Sequence, residues 1–227
     1  MGNVVEESQF QLILLPGLGA DQRQFEPQRA AFPDLWVPPW IVPRRKETLV
    51  DYAARLAETI VPTRPKVLGG SSFGGMVAYE MARYLRPEAV VLIGSCRSPQ
   101  ALRPLLRRLR PMVPLVAAQV FALAQWMAPL AVRTFSRFTP EQKRLCVAMF
   151  QETDCGFMKW ACRAILGWVP SGPPPVPVFQ IHGQKDRVMP ARLAAADQLI
   201  SDGGHLINLT HAPQVNAFIV RAFESVQ

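Results

Sequence analysis

The 227-residue chain reads as an α/β protein, a three-layer α/β/α fold around a mostly parallel sheet, with a helical segment inserted after the third central strand. Three observations point there. Short runs of β-branched and aliphatic residues alternate with stretches at helical spacing, as parallel strands joined by crossovers require. The alternation lapses once, between about residues 97 and 175, where helix-type composition continues without a clear strand. Hydrophobic residues make up 49% of the chain against 19% charged, which suits one core with a modest insertion and leaves two enzymatic domains cramped.

Taken in order, Gln11 to Leu15 is an apolar run that stops at Pro16-Gly17-Leu18-Gly19, a buried strand ending in a glycine-rich loop. Leu35 to Ile41 is a further element broken by prolines. In Leu49 to Val61, the residues Leu49, Tyr52, Ala53, Leu56 and Ile60 recur at helical spacing, and Pro65 closes the turn. Lys66 to Gly69 begins the next strand, and Met76 to Leu85 is the helix that follows, stopped at Arg86-Pro87. Ala89 to Ile93 is a strand. Beyond the insertion, Val176 to Ile181 reads as a strand, and Pro190 to Leu199 and Ala212 to Phe223 read as helices.

Lysine and arginine number 25 against 17 acidic residues, a formal charge of +8, so anionic partners have to be weighed. There is no zinc-finger spacing, no glycine-aromatic RNA-binding signature and no basic tail, and nucleic acid is not an expected partner. Cys96, Cys146, Cys155 and Cys162 form no CxxC pair and read as free thiols, and no metal site or cofactor is expected. Met1 to Ser8 carries Glu6 and Glu7, the reverse of a signal peptide's basic start, which points to the cytoplasm.

Met112 to Val132 has no charged residue and is long enough to span a bilayer, but Pro114, Pro129, Gln119 and Gln125 favour a buried or surface-docked helix. Just before it, Leu102, Leu105, Leu106 and Leu109 share one helical face and Arg103, Arg107 and Arg110 the other. Such a basic amphipathic helix either packs with its arginines solvated or makes weak contact with an anionic membrane surface.

The chemistry centres on Gly70-Ser71-Ser72-Phe73-Gly74, which matches GxSxG in one register only and lies between a strand and a helix. Ser72 is the candidate nucleophile. Glycines at 70 and 74 allow strand and helix to approach, and the helix N-terminus offers the Phe73 N–H to a developing oxyanion. A second donor comes from the loop after the first strand, where Leu18 N–H is the choice. A serine needs a base, and of His182, His205 and His211 the one flanked by Gly203-Gly204 in a late loop, His205, is selected; His182 and His211 read as structural. Asp186, after the strand Val176 to Ile181, is the carboxylate that would orient it, ahead of Asp202 and Asp154.

The order serine, acid, histidine resembles that of the α/β-hydrolase superfamily, as do His182-Gly183-Gln184-Lys185-Asp186 with Val188 and Pro190, and Gly203-Gly204-His205. The resemblance covers most of the chain. It implies a hydrolase core at residues 1–96 and 176–227, a helical cap at 97–175, and a sheet shortened by the absence of the family's N-terminal antiparallel strands. It also implies hydrolysis of a small-molecule carboxylic ester or thioester through an acyl-enzyme. Acyl transfer or lyase chemistry uses the same three residues, and some members of the fold only bind ligands. The sequence departs from many relatives in having Pro16-Gly17 where they carry His-Gly. Phe121, Trp126, Phe150, Phe157 and Trp160 are candidates either for the pocket wall or for the core. Oligomeric state is not legible.

Overall fold

The computed structural model describes residues 11–61, 66–108, 111, 118–131 and 137–226. Among them β1 (Gln11–Leu15), β2 (Lys66–Ser71), β3 (Ala89–Ile93), β4 (Val178–Gly183) and β5 (Gln198–Ile200) form one sheet in that order, each neighbouring pair parallel. Around it lie α1 (Glu26–Arg29), α2 (Leu49–Glu58), α3 (Phe73–Leu85), α4 (Pro104–Arg108), α5 (Ala118–Ala131), α6 (Pro140–Glu152), α7 (Cys155–Gly167), α8 (Ala191–Ala194), α9 (Ile207–Thr210) and α10 (Ala212–Glu224).

The central strands are apolar on both faces, as a sheet covered twice must be. Side chains alternate between the two cores. Ile13, Leu15, Leu68, Val90 and Leu92 face α2 and α3, whereas Leu12, Leu14, Val67, Val91 and Ile93 face α10. The amphipathic face of α2 (Leu49, Tyr52, Ala53, Leu56) is buried in the first core, and the Thr48 hydroxyl caps that helix by accepting from the Asp51 N–H. On α10, Val215, Phe218, Ile219 and Ala222 close the second core. Helices on both sheet faces complete the three-layer arrangement that the alternating pattern implies.

The sequence between β3 and β4 holds α4 to α7 and no strand among the described residues. Of these, α7 packs Phe157, Trp160, Ala161 and Ala164 into the first core beside α2 and α3. Phe157 and Trp160 join Trp40, Tyr52 and Phe73 in an aromatic cluster with centroid separations of 4.3–6.4 Å. Helix α5 meets α6 and α7.

Two sequence expectations need correction. Pro190 to Leu199 is not one helix: α8 stops where Ala195 turns to φ 48°, and Gln198–Ile200 pairs with β4 as β5. The exposed edge of β4 supplies hydrogen-bond partners that a helix at this place would leave unused. Leu35 to Ile41 contributes one parallel bridge, Trp36 to Ile13, on the far side of β1, and Pro38 and Pro39 lack the N–H groups to continue it.

Of the basic helix, Leu109 and Arg110 lie outside the described residues; Leu102 is buried, and Leu105, Arg103, Arg107 and Arg108 are exposed. The uncharged run from Met112 to Val132 is described from residue 118 to 131, where it forms α5. No helix among the described residues is long and apolar enough to cross a membrane. Met1 to Ser8 also lies outside the described residues.

Candidate active site

Strand β2 passes into α3 through Ser72, whose φ of 51° and ψ of −118° fall where residues with a Cβ rarely sit. Such a conformation costs about 1–3 kcal/mol and persists only when its surroundings enforce it. Here the Ser72 N–H donates to the Ile93 carbonyl (3.0 Å), and the Ser95 hydroxyl donates to the Ser72 carbonyl (2.6 Å). The helix and strand meet so closely that a Cβ on Gly74 would lie 2.1 Å from the Leu15 carbonyl oxygen, and one on Gly70 would lie 2.5 Å from the Gly74 backbone. The two glycines of the pentapeptide are thus required by backbone packing.

Two strands along, at the same carboxyl end of the sheet, β4 ends at Gly183 and Asp186 follows in the next loop. The loop after β5 crosses it, with the Lys185 N–H bonded to the Gly203 carbonyl, and carries His205 back over the strand ends. A side chain at Gly183 would collide with the Gly204 carbonyl at 2.1 Å, so the approach of the two loops depends on that glycine. The result is a continuous relay. Ser72 Oγ lies 2.8 Å from His205 Nε2, and His205 Nδ1 lies 2.7 Å from Asp186 Oδ2. Ser72 and His205 are partly exposed and Asp186 is buried.

The Asp186 carboxylate is fully partnered. Oδ1 accepts from the Val188 N–H (2.7 Å) and Met189 N–H (2.9 Å), and Oδ2 faces His205 Nδ1 and, at 3.1 Å, His182 Nε2. Burial by itself would raise its pKa, but the hydrogen bonds from His182 and His205 and from the backbone outweigh it and hold the carboxyl well below its ordinary range. His182, expected to be structural, is fully buried with its Nε2 also 2.8 Å from the Met189 carbonyl. Two acceptors facing one ring nitrogen require that nitrogen to carry the proton.

The loop after β1 brings Leu18 beside Ser72, on the wall of the same cavity. Neither the Leu18 nor the Phe73 N–H is bonded to another described residue, so both can donate to an oxyanion. The loop is held by Gln24, whose Oε1 accepts from the Gly17 N–H at 2.7 Å while its Nε2 donates to Ser71 Oγ at 3.0 Å. Asn208 Nδ2 donates to the Gln24 carbonyl. Sequence reading missed Gln24 and Ser95, since nothing in their neighbourhoods marks them. For His182 a signal existed in its four-residue spacing from Asp186.

The weaker carboxylate candidates lie elsewhere. Asp202 pairs with His211 Nε2 (3.1 Å) and with Arg137, and Asp154 caps α7 by accepting from the Phe157 N–H. No group of three metal-ligating side chains occurs among the described residues.

A cavity of about 380 Å³ opens from Ser72 and His205, walled by Leu18 and Gln24 on one side and by Ala128 of α5 and Val147 and Phe150 of α6 on the other. Phe150 therefore belongs to the pocket, whereas Trp126 projects into solvent. A second cavity of about 300 Å³ adjoins it, lined by Trp40, Glu152, Asp154 and Phe157 and sharing Ala20 and Met149. The relay and the first cavity lie at the carboxyl end of the parallel strands, where ligands bind in open α/β sheets.

The model of the alpha/beta hydrolase family matches residues 12–218, nearly the whole chain. The chain belongs to that family. Solved structures agree on this alpha/beta hydrolase fold. An esterase from Thermogutta terrifontis superposes with a TM-score of 0.72 at 20% identity, covering 96% of this chain and 91% of that one. An enol-lactonase from Burkholderia xenovorans gives 0.68 at 20% identity, with 95% and 92% covered. A type II thioesterase of the yersiniabactin pathway gives 0.65 at 19% identity, with 97% and 95% covered. No curated protein sequence matches this alpha/beta hydrolase.

Proposed function

We propose that the protein is a serine hydrolase that cleaves a small-molecule carboxylic ester or thioester through an acyl-enzyme. The observation that carries this reading is the unbroken hydrogen-bonded relay from Ser72 Oγ through His205 to Asp186. Ser72 Oγ attacks the substrate carbonyl carbon while His205 Nε2 accepts the hydroxyl proton. Asp186, charged and buried, keeps the proton of the neutral imidazole on Nδ1 and stabilises the imidazolium as it forms. The tetrahedral oxyanion accepts hydrogen bonds from the Leu18 and Phe73 N–H groups, the latter at the N-terminus of α3, a position that favours negative charge.

Collapse expels the alcohol or thiol, which takes the proton from His205. Water, deprotonated by the same imidazole, then attacks the acyl-enzyme and frees the acid and Ser72. The inserted helices α5 and α6 serve as the cover, since their side chains wall the cavity over Ser72. The esterase, lactonase and thioesterase among the structural neighbours support hydrolysis as the reaction class.

A fluorophosphonate probe tests the proposal. The purified protein is expected to be labelled and to hydrolyse p-nitrophenyl esters, and Ser72→Ala to lose both. Equal labelling of Ser72→Ala and the parent chain would remove Ser72 as the nucleophile. Silence of the parent protein on esters and acyl thioesters alike would favour a ligand-binding role.

A further inference from the structure

Among the described residues, no Asp, Glu, Lys or Arg lines the cavity that opens from Ser72. The polar groups at its base are already engaged, Ser72 and His205 with each other and the Gln24 amide with Gly17 and Ser71. Burial pushes the Cys146 thiol on the cavity wall up to about 11, so it too is neutral. Beyond the Leu18 and Phe73 N–H groups, which the reacting carbonyl oxygen takes up, a charged or polyhydroxylated group entering here would lose its water and find no partner among the described residues.

Helix α5 is arranged in an unusual sense. The side chains that it turns to the cavity are the small Ala124 and Ala128, one turn apart on one face. Its large apolar residues Leu123, Trp126 and Met127 are exposed instead. A helix packed only to fill a core would place the large residues inward. This distribution keeps space open above Ser72.

We propose that the cavity holds the acyl half of the substrate, an uncharged aliphatic chain of short to medium length, and that Ala124 and Ala128 set the room available to it. Assignment to the acyl half rests on Ser72 acting as nucleophile; the preference for an aliphatic chain rests on the wall alone. The acyl group stays bonded to Ser72 after the leaving group departs, so a wall beside Ser72 that favours the acyl chain acts in both half-reactions. The cavity lies in the lower part of the size range of small-molecule sites, which suits a chain rather than a fused ring system.

The test compares kcat/KM for p-nitrophenyl acetate, butanoate, hexanoate and octanoate with that for alkyl acetates of equal carbon number. Values are expected to rise about threefold to fourfold per added acyl methylene until the cavity is full. Ala128→Phe is expected to lower the octanoate-to-acetate ratio about tenfold or more. Leu123→Phe, on the outer face of the same helix, keeps the parent ratio, and Ala128→Leu replaces the phenylalanine variant if that one unfolds. A flat acyl series, a rise confined to the alkyl acetates, or an unchanged ratio in the Ala128 variants would overturn the proposal. Calorimetric titration of Ser72→Ala with methyl butanoate, hexanoate and octanoate reads the cavity without turnover. Affinity that grows with chain length, beside failed labelling of the parent at Ser72, would leave the aliphatic site standing and refute the hydrolase reading. Affinity independent of length would refute the aliphatic site itself.

Discussion

Asp186 has four donors on two oxygens, and this determines how its loss reads out. In Asp186→Asn the amide faces the same donors without a charge, and His205 is no longer held in the tautomer that presents an unprotonated Nε2 to Ser72. kcat for p-nitrophenyl esters is expected to fall by about three to four orders of magnitude. The pH dependence of stability follows from the lowered pKa. Asp186 stays charged in the folded protein at pH values where the unfolded chain has taken up a proton. Its stabilisation is therefore complete above about pH 4 and is lost as the pH falls through the lower folded value. The Tm difference between the parent and Asp186→Asn should narrow below about pH 4, and a gap that widens there would contradict the assignment. His182→Phe removes one donor from Asp186 and leaves the Met189 carbonyl unpaired; a loss of about 1–3 kcal/mol in urea unfolding is expected. At this scale the convergence of Ser72, Asp186 and His205 was readable because each sits in a local motif. Gln24 and Ser95 were not, because Gln24 reaches Ser71 across 47 residues and Ser95 reaches Ser72 across 23.

Among the elements, the elbow between β2 and α3 is the most tightly determined. The atoms that a Cβ on Gly74 would meet are the Leu15 and Pro16 carbonyl oxygens, at 2.1 and 2.3 Å. Backbone at the end of β1 cannot yield as a flexible side chain can, so Gly74→Ala should lose more than about 3 kcal/mol in urea unfolding or fail to fold. A loss under about 1 kcal/mol would mean that strand and helix are farther apart than described. The same glycines explain why α3 begins at Phe73 rather than at the expected Met76. Gly74 and Gly75 are poor helix formers, but tertiary packing selects them and the helix runs through. Strand β5 escaped notice for the opposite reason. Three residues carry too little pattern to outweigh the helix-forming alanines before them, and only the edge of β4 decides their conformation. β3 was legible to the residue because Ala89–Ile93 is apolar on both faces, as a central parallel strand must be.

Across the whole molecule, the inserted helices α5 and α6 and the sheet meet over the cavity, and the cohesion of these helices depends on a side chain that sequence patterning treats as an interruption. Gln125 of α5 is buried, and its Nε2 donates to the Phe150 and Thr153 carbonyls at 2.8 and 2.6 Å, satisfying the end of α6. Pro129 lacks the N–H that would bond the Gln125 carbonyl within α5, and Gln151 Nε2 takes that place at 3.2 Å. Glutamine and proline, which weaken this segment as a membrane span, thus fasten α5 to α6. The Arg23–Glu152 pair, which ties α6 to the loop after β1, is exposed and contributes little by comparison. Gln125→Leu keeps the volume and removes both donors, leaving two carbonyls unpaired at a cost of about 1–3 kcal/mol. Gln125 also accepts from Cys155 Sγ and reaches Met158 Sδ of α7, but among the described residues none of its partners lies in the sheet, so the effect should spare the strands. Amide exchange is expected to accelerate along α5 and the last turn of α6 while β1 to β3 keep their protection. Ala128 and Phe150 sit on the two helices so loosened, and the chain-length dependence of ester turnover should flatten in the same variant. Acceleration spread evenly over the sheet would show instead that cover and core open as one cooperative unit.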